Sequence, residues 1–233
     1  MLPRDRLIVA LDVPSVEEAR ALVDKLGDSV GVYKIGLELL FSGGFELAQE
    51  LAQHGRPVFV DAKLLDIEAT VERATAAIAR MGVEFLTVHA LDQKTLAAAV
   101  RGRGDSALKL LGVTVLTNLS PADLVEQCCD HPLGEVVLHR AKLAREAGFD
   151  GVVASGHEAA KIREAAGADF LVVTPGVRPQ GSEAQDQSRA VTPGAAITAG
   201  ASYLVVGRPI TCAPDPRAAA DAIVGEIAGA LAG

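Results

Sequence analysis

The sequence predicts a closed (β/α)8 barrel, an α/β fold built as one domain over residues 1–233. Three observations lead there. Eight short runs, almost continuously apolar and rich in β-branched residues, recur along the chain, as expected of parallel strands covered on both faces. Ala-rich stretches of helical character separate them. The 233 residues leave about 29 for each β–α unit, which suits a closed eight-fold barrel. An open doubly wound sheet is the structural alternative. Its glycine-rich first turn, GxGxxG, is missing, because the first strand runs out as "ALDVPS".

The elements follow in order. LIVALD (7–12) is the first strand candidate. A helix over 15–26 comes next: Ser15 with Glu18 three residues later is the capping-box pattern, and Gly27 ends it. VYKIG (32–36) leads to a helix over 43–54, stopped by Gly55. VFVDAKL (58–64) leads to one over 66–81, stopped by Gly82, and FLTVHA (85–90) to one over 93–100. LKLLGVTVL (108–116) is followed by a long connection and a helix over 135–147, closed by Gly148. GVVAS (151–155) precedes a helix over 157–166 and Gly167. FLVVTPG (170–176) runs through a long polar loop to a helix over 193–199, and YLVVG (203–207) precedes one over 216–231. Both last helices begin with proline, whose missing N–H is no loss in a first turn.

Composition narrows the function. Apolar residues make up 49 %, enough for a large core, and the formal net charge is −8. That balance argues against a nucleic-acid or anionic-membrane surface as the main task. No apolar run approaches the roughly 18 residues of a membrane span. The start, "MLPRDRLIVALDVPS", reads as the first strand of a cytoplasmic protein rather than a signal peptide. Of the three cysteines, Cys128 and Cys129 are adjacent and Cys212 is distant, which is neither a disulfide framework nor a zinc spacing. The five histidines (54, 89, 131, 139 and 157) form no HxH or HxxxH cluster, so nothing points to a metal.

In such a barrel, function gathers at the C-terminal ends of the strands. The polar residues there are Asp12, Lys34, Asp61, Lys63, His89, Thr117, Ser155, Arg178 and Arg208. Asp61 and Lys63 are two apart on one strand and therefore share a face. Asp66 follows at the turn, and Lys34 ends the neighbouring strand. The expectation is an alternating set, Lys34, Asp61, Lys63 and Asp66. A structural ion-pair network is the plain reading of such a set, but two lysines held at a barrel mouth favour an anionic substrate.

A second signal lies at the end of the chain. Gly207 and Arg208 directly follow the eighth strand, where such barrels often bind phosphate. The long seventh loop, "TPGVRPQGSEAQDQSRAVTPG", adds Arg178, Gln187 and Arg189. An exposed polar loop with incidental arginines is the alternative to a phosphate grip. His89 is either catalytic or a hydrogen-bonded structural histidine. The adjacent cysteines are expected as plain thiols in or near a helix, His157 as a helix-start residue, and Asp5 and Arg6 as surface charges.

The motifs "VALD", "KIG", "DAKLLDI", "TVHA", "TPGVRP", "DQSRAVTP" and "VGRPIT" occur in this order over essentially the whole chain. In them the chain resembles the orotidine 5′-phosphate decarboxylase family in its bacterial form. The DxKxxDI element is shared with related sugar-phosphate decarboxylases and synthases. The resemblance implies decarboxylation of orotidine 5′-monophosphate to UMP, the last step of UMP synthesis, without metal or organic cofactor. It implies Lys63 as proton donor to C6 and Asp61 beside the substrate carboxylate. Asp66, Ile67 and Thr70 would reach into the active site of a second subunit, making a homodimer with composite sites. Asp12 and Lys34 would hold the ribose hydroxyls and Thr117 the base. Arg178, Gln187, Gly207 and Arg208 would hold the phosphate, with Gln187 also bridging to the base. Gln180 and Gln185 are alternatives to Gln187, which follows Asp186 and precedes "SRAVTP". Two other functions compete. One is a magnesium-dependent relative, which would have an acidic residue where Lys34 stands. The other is a phosphate-ligand-binding barrel without catalysis.

Overall fold

A computed structural model describes residues 1–179 and 191–233. Eight strands close a barrel in which each strand pairs in parallel with the next and β8 returns to β1. The strands are β1 (Leu7–Ala10), β2 (Val32–Gly36), β3 (Val58–Leu64), β4 (Phe85–His89), β5 (Lys109–Val113), β6 (Gly151–Val153), β7 (Leu171–Thr174) and β8 (Tyr203–Val206). The principal helices are α1 (Val16–Leu26), α2 (Phe45–Gln53), α3 (Glu68–Ala79), α4 (Gln93–Arg103), α5 (Leu133–Ala147), α6 (Gly156–Ala166), α7 (Pro193–Thr198) and α8 (Pro216–Ala232). Among the described residues no helix is long and apolar enough to cross a membrane.

The continuous apolar runs have a direct cause. Alternate residues of each strand enter two different cores. In β1, Leu7 and Val9 pack outward under the helices, while Ile8 and Ala10 fill the barrel interior with Phe59, Phe85, Val173 and Tyr203. Both faces are covered, so both sets must be apolar. The same alternation puts Lys34 two residues above Val32 and Asp61 two above Phe59, on the inside. A charged layer therefore caps the apolar interior at the C-terminal end.

Several element ends differ from the sequence expectation. Helix α2 begins at Phe45 rather than 43, because a wide turn over Leu40–Gly44 contains Gly43 at φ 95°. Helix α3 begins at Glu68 rather than 66, because Ile67 is extended. The fifth ladder stops at Val113, and α4 continues to Arg103. Short helices over Pro3–Arg6, Leu37–Leu39, Pro121–Glu126 and Arg208–Thr211 have too few residues for a helical period to show. At α1, Ser15 Oγ accepts the Glu18 amide at 3.2 Å, but the Glu18 carboxylate bonds the Ser15 hydroxyl at 3.2 Å. At the N-terminal end of the barrel, the Arg163 guanidinium donates to the carbonyls of Ala168, Phe170 and Gly200 and to Ser202 Oγ at 2.7–2.9 Å. It ties the α6–β7 and α7–β8 connections together away from the site.

Candidate active site

Strand β3 supplies the centre of the site. Its ladder with β4 is regular at Phe59–Phe85 and Val60–Leu86, then slips before Leu64 pairs with Val88. Within the slip, Lys63 takes φ 48°, a left-handed conformation that costs a side-chain-bearing residue about 1–2 kcal/mol. Simple alternation already places Asp61 and Lys63 on one face, and the bulge re-aims the lysine. The result is direct contact: Lys63 Nζ lies 2.8 Å from Asp61 Oδ2. The other carboxylate oxygen, Asp61 Oδ1, accepts the Thr87 hydroxyl at 2.9 Å, and Thr87 Oγ1 accepts the Lys63 amide at 2.9 Å.

Strand β2 brings the second ammonium. Lys34 Nζ sits 3.3 Å from Asp61 Oδ2 and 3.1 Å from Asp12 Oδ1. Asp61 and Lys34 are 8 % and 7 % exposed, so neither charge could persist here unpaired. Burial opposes the charged form of Asp61, but Lys34, Lys63 and the Thr87 hydroxyl outweigh it and hold the carboxyl below its ordinary value. For Lys34, burial likewise opposes the charge, and Asp61 and Asp12 raise the ammonium above its ordinary value. Gly36 makes room for this pairing: a Cβ there would stand 3.0 Å from Lys34 Nζ and 3.1 Å from Asp12 Oδ1.

The connected set within the chain is thus Asp12–Lys34–Asp61–Lys63. Of the expected set, Lys34, Asp61 and Lys63 meet within the chain and Asp66 does not. Asp66 is exposed, and its Oδ1 accepts the amide of Ile67 at 2.6 Å. Asp12, from the end of the first strand, takes the terminal carboxylate position instead. Ile67, 72 % exposed, and Thr70 on α3, also exposed, do not line this chain's cavity.

That cavity, about 510 Å³, opens at the C-terminal ends of the strands. Ala10, Phe59, Val113, Val153 and Val205 form an apolar floor. Asp12, Lys34, Asp61 and Lys63 line one side, Thr117 and Asn118 another, and Arg178, Gly207 and Arg208 a third. Among the described residues, four cationic and two anionic side chains face it, a balance that attracts an anion. Arg208 opens the short helix Arg208–Thr211. Arg178 is buried, and its Nη1 donates to Val177 O at 3.0 Å. Val177 bridges to Val191, and the Arg178 amide donates to Val191 O at 2.9 Å, which joins the two ends of the seventh loop. Gln187 lies outside the described residues, as do Gln180, Gln185 and Arg189.

The weaker candidates fall elsewhere. His89 is half-buried at the end of β4 and does not line the cavity; burial, Lys63 and Arg140 push its imidazole below the ordinary value. Ser155 caps α6 by accepting the His157 amide, which accounts for both residues. The three cysteines are free thiols; Cys128 and Cys129 follow the short helix Pro121–Glu126. Among the described residues no group of three or more His, Cys, Asp or Glu could hold a metal ion. Sequence reasoning missed Gly36, Thr87 and Asn118. "KIG" and "TVHA" contain the first two, but nothing in a linear pattern shows what each would face.

Comparison with known proteins gives a consistent answer. The profile of the family described as "Orotidine 5′-phosphate decarboxylase / HUMPS family" matches residues 5–223. The orotidine 5′-phosphate decarboxylase of Methylobacterium nodulans (strain LMG 21967 / CNCM I-2342 / ORS 2060) is 54 % identical over 231 residues, covering 98 % of each chain. That of Caulobacter sp. (strain K31) is 56 % identical over 224 residues, covering 96 % of this chain and 97 % of that one. The crystal structure of orotidine 5′-phosphate decarboxylase from Lactobacillus acidophilus superposes with a TM-score of 0.84 at 42 % identity, covering 95 % of this chain and 98 % of that one. With the barrel, the Asp–Lys–Asp–Lys set and these relatives in agreement over nearly its whole length, the chain belongs to the orotidine 5′-phosphate decarboxylase family.

Proposed function

We propose that the chain decarboxylates orotidine 5′-monophosphate to UMP without a metal ion, with Lys63 as the proton donor to C6. The observation that carries this reading is the Lys63 ammonium gripped by Asp61 at 2.8 Å, in a cavity whose far side presents Arg178 and Arg208. The C6–carboxylate bond breaks, CO2 leaves, and the electron pair stays on C6. That carbanion has little resonance help, so a fixed ammonium beside it offsets the charge and then supplies the proton. Asp61, facing the substrate carboxylate, makes a like-charge contact that ends when CO2 departs.

The remaining cavity residues divide by chemistry. Asp12 and Lys34 hold the ribose hydroxyls, and Thr117 contacts the base. Arg178, Gly207 and Arg208 grip the phosphate, with Gln187 joining them and bridging to the base. A Cβ at Gly207 would meet Ala10 and Asp12 only at 3.6 and 3.8 Å, so packing within the chain does not demand glycine there. Close approach of a phosphate to its backbone does. Phosphate binding energy, spent remote from C6, raises the rate as well as the affinity.

The working unit on this reading is a cytoplasmic homodimer of single-domain barrels. The turn after β3 leaves Leu65, Asp66, Ile67 and Thr70 exposed, with Leu65 at 51 % and Ile67 at 72 %. Leu37, Phe41 and Phe45, after β2, are also exposed large apolar side chains. Such a surface supports burial against a second copy, into whose site Asp66, Ile67 and Thr70 project. The magnesium-dependent relatives are a poorer match, since the Lys34 ammonium already stands between Asp12 and Asp61 and would repel a divalent cation.

Subunit mixing tests the shared site. Lys63→Ala and Asp66→Asn homodimers should each be nearly inactive. Equal mixing should restore about one quarter of wild-type activity, because half the dimers are mixed and each has one intact site. Verified mixed dimers without activity would refute the composite site.

A further inference from the structure

Thr87 stands on β4, fully buried, and does not line the cavity. Phe59 pairs with Phe85 across the barrel interior, so the residues two further on, Asp61 and Thr87, come side by side on the same inner face. A buried hydroxyl needs partners within the protein. Thr87 has two, both on β3: it donates to Asp61 Oδ1 and accepts the Lys63 N–H, each at 2.9 Å. The slip in the β3–β4 ladder takes that N–H out of the regular strand pairing, and the threonine oxygen replaces a strand carbonyl as its acceptor.

We propose that Thr87 is a positioning residue for the decarboxylation, its one hydroxyl holding both the backbone that aims Lys63 and the carboxylate that grips the Lys63 ammonium. Three bonds close a ring: Thr87 to Asp61, Asp61 Oδ2 to Lys63 Nζ at 2.8 Å, and the Lys63 amide back to Thr87. The ring holds the lysine at both ends, at its strained backbone with φ 48° and at its charged tip. The inner face of the barrel below Thr87 is apolar, with Phe59 and Phe85 in the interior core, so burial alone does not call for a hydroxyl at position 87. Without it, the left-handed turn at Lys63 loses its anchor while the phosphate-gripping side of the cavity is untouched.

The inference rests on Lys63 as the proton donor, and Lys63→Ala is measured beside it to separate the two. Thr87→Val, Thr87→Ala and Thr87→Ser are assayed for kcat and KM with orotidine 5′-monophosphate, and for UMP affinity by calorimetry. Displacement of a reacting group by about 1 Å costs on the order of 10²-fold, so kcat of Thr87→Val should fall by about that factor. UMP affinity should stay within about two-fold of wild type, because the phosphate grip does not involve Thr87. Thr87→Ser, which keeps the hydroxyl, should recover most of kcat. Thr87→Ala fits the site whatever its packing, and its kcat stands in for that of Thr87→Val if the larger variant does not fold. Wild-type kcat in the folded apolar variant, equal losses of kcat and UMP affinity, or no recovery with serine would each overturn the proposal. If Lys63→Ala is inactive while Thr87→Val is not, the positioning role alone falls. If Lys63→Ala turns over normally, the proton-donor reading falls first.

Discussion

Replacing Lys34 by methionine should destabilise the protein in a way that depends on pH. The change keeps an apolar stem of similar length and removes the ammonium that bridges Asp61, at 3.3 Å, and Asp12, at 3.1 Å. With an effective dielectric constant of about 20, a charge pair at 3.3 Å attracts with about 5 kcal/mol before desolvation. Burial of both ions offsets much of that, but removing one partner leaves the other uncompensated, at a cost of about 3–5 kcal/mol. Asp61 keeps Lys63 at 2.8 Å, so the lower end, about 3 kcal/mol, is expected at neutral pH. For a chain of this size that lowers Tm by about 6–12 °C. The pH dependence has a definite sign. The Asp61 carboxyl is depressed in the folded protein, so its stabilisation is present above the unfolded carboxyl range and is lost as pH falls through the folded value. The Lys34 ammonium is raised, so its share persists below the ordinary lysine range and disappears only in alkali. The difference between wild type and variant should therefore be full from about pH 5 to 9 and shrink towards about pH 3. Urea unfolding followed by circular dichroism at neutral pH and at about pH 3 measures it. An equal difference at both values would show that packing, not charge, carries the effect and would refute the reasoning.

Arg208→Ala should weaken UMP binding by about 10–100-fold, the loss of a charge-assisted contact to phosphate, and calorimetry reads it directly. Unchanged UMP affinity would remove Arg208 from the phosphate grip. Turnover of orotidine 5′-monophosphate should be the same with and without EDTA; loss of activity on chelation would favour the magnesium-dependent branch of the family. Arg163→Leu leaves the acceptors of Ala168, Phe170, Gly200 and Ser202 without their donor and should cost about 3 kcal/mol of stability in chemical unfolding, with kcat unchanged. A kcat change in that variant would show that the N-terminal end of the barrel communicates with the site.

The fold was legible because a parallel barrel writes itself into every strand. Both faces are buried, so each run is apolar throughout, and Leu7–Ala10 and Tyr203–Val206 are buried at every residue. Boundaries were less legible where a local backbone conformation overrides composition. Gly43 at φ 95° delays α2, and the extended Ile67 delays α3, although the flanking residues read as helical. The cavity lining was legible where its residues share a strand, as with Asp61 and Lys63, or follow a strand end, as with Arg178, Gly207 and Arg208. Asp66, close in sequence to the ion network, stands outside it within this chain, because the turn after β3 leaves it exposed.

The strand count, the closed α/β architecture and the charges at the C-terminal mouth are all readable from the linear chain. A period of two and a short apolar run are local properties, and local order survives in a linear string. Which of these charges meet depends on the folded barrel. Asp12 and Lys34 are 22 residues apart, and Thr87 and Asp61 are 26 apart. Their contacts exist because neighbouring parallel strands bring them into register. Gly36 leaves room beside Lys34, and the ladder slip between Val60 and Leu64 turns Lys63 toward Asp61. These are relations between strands, and no single stretch of sequence contains them.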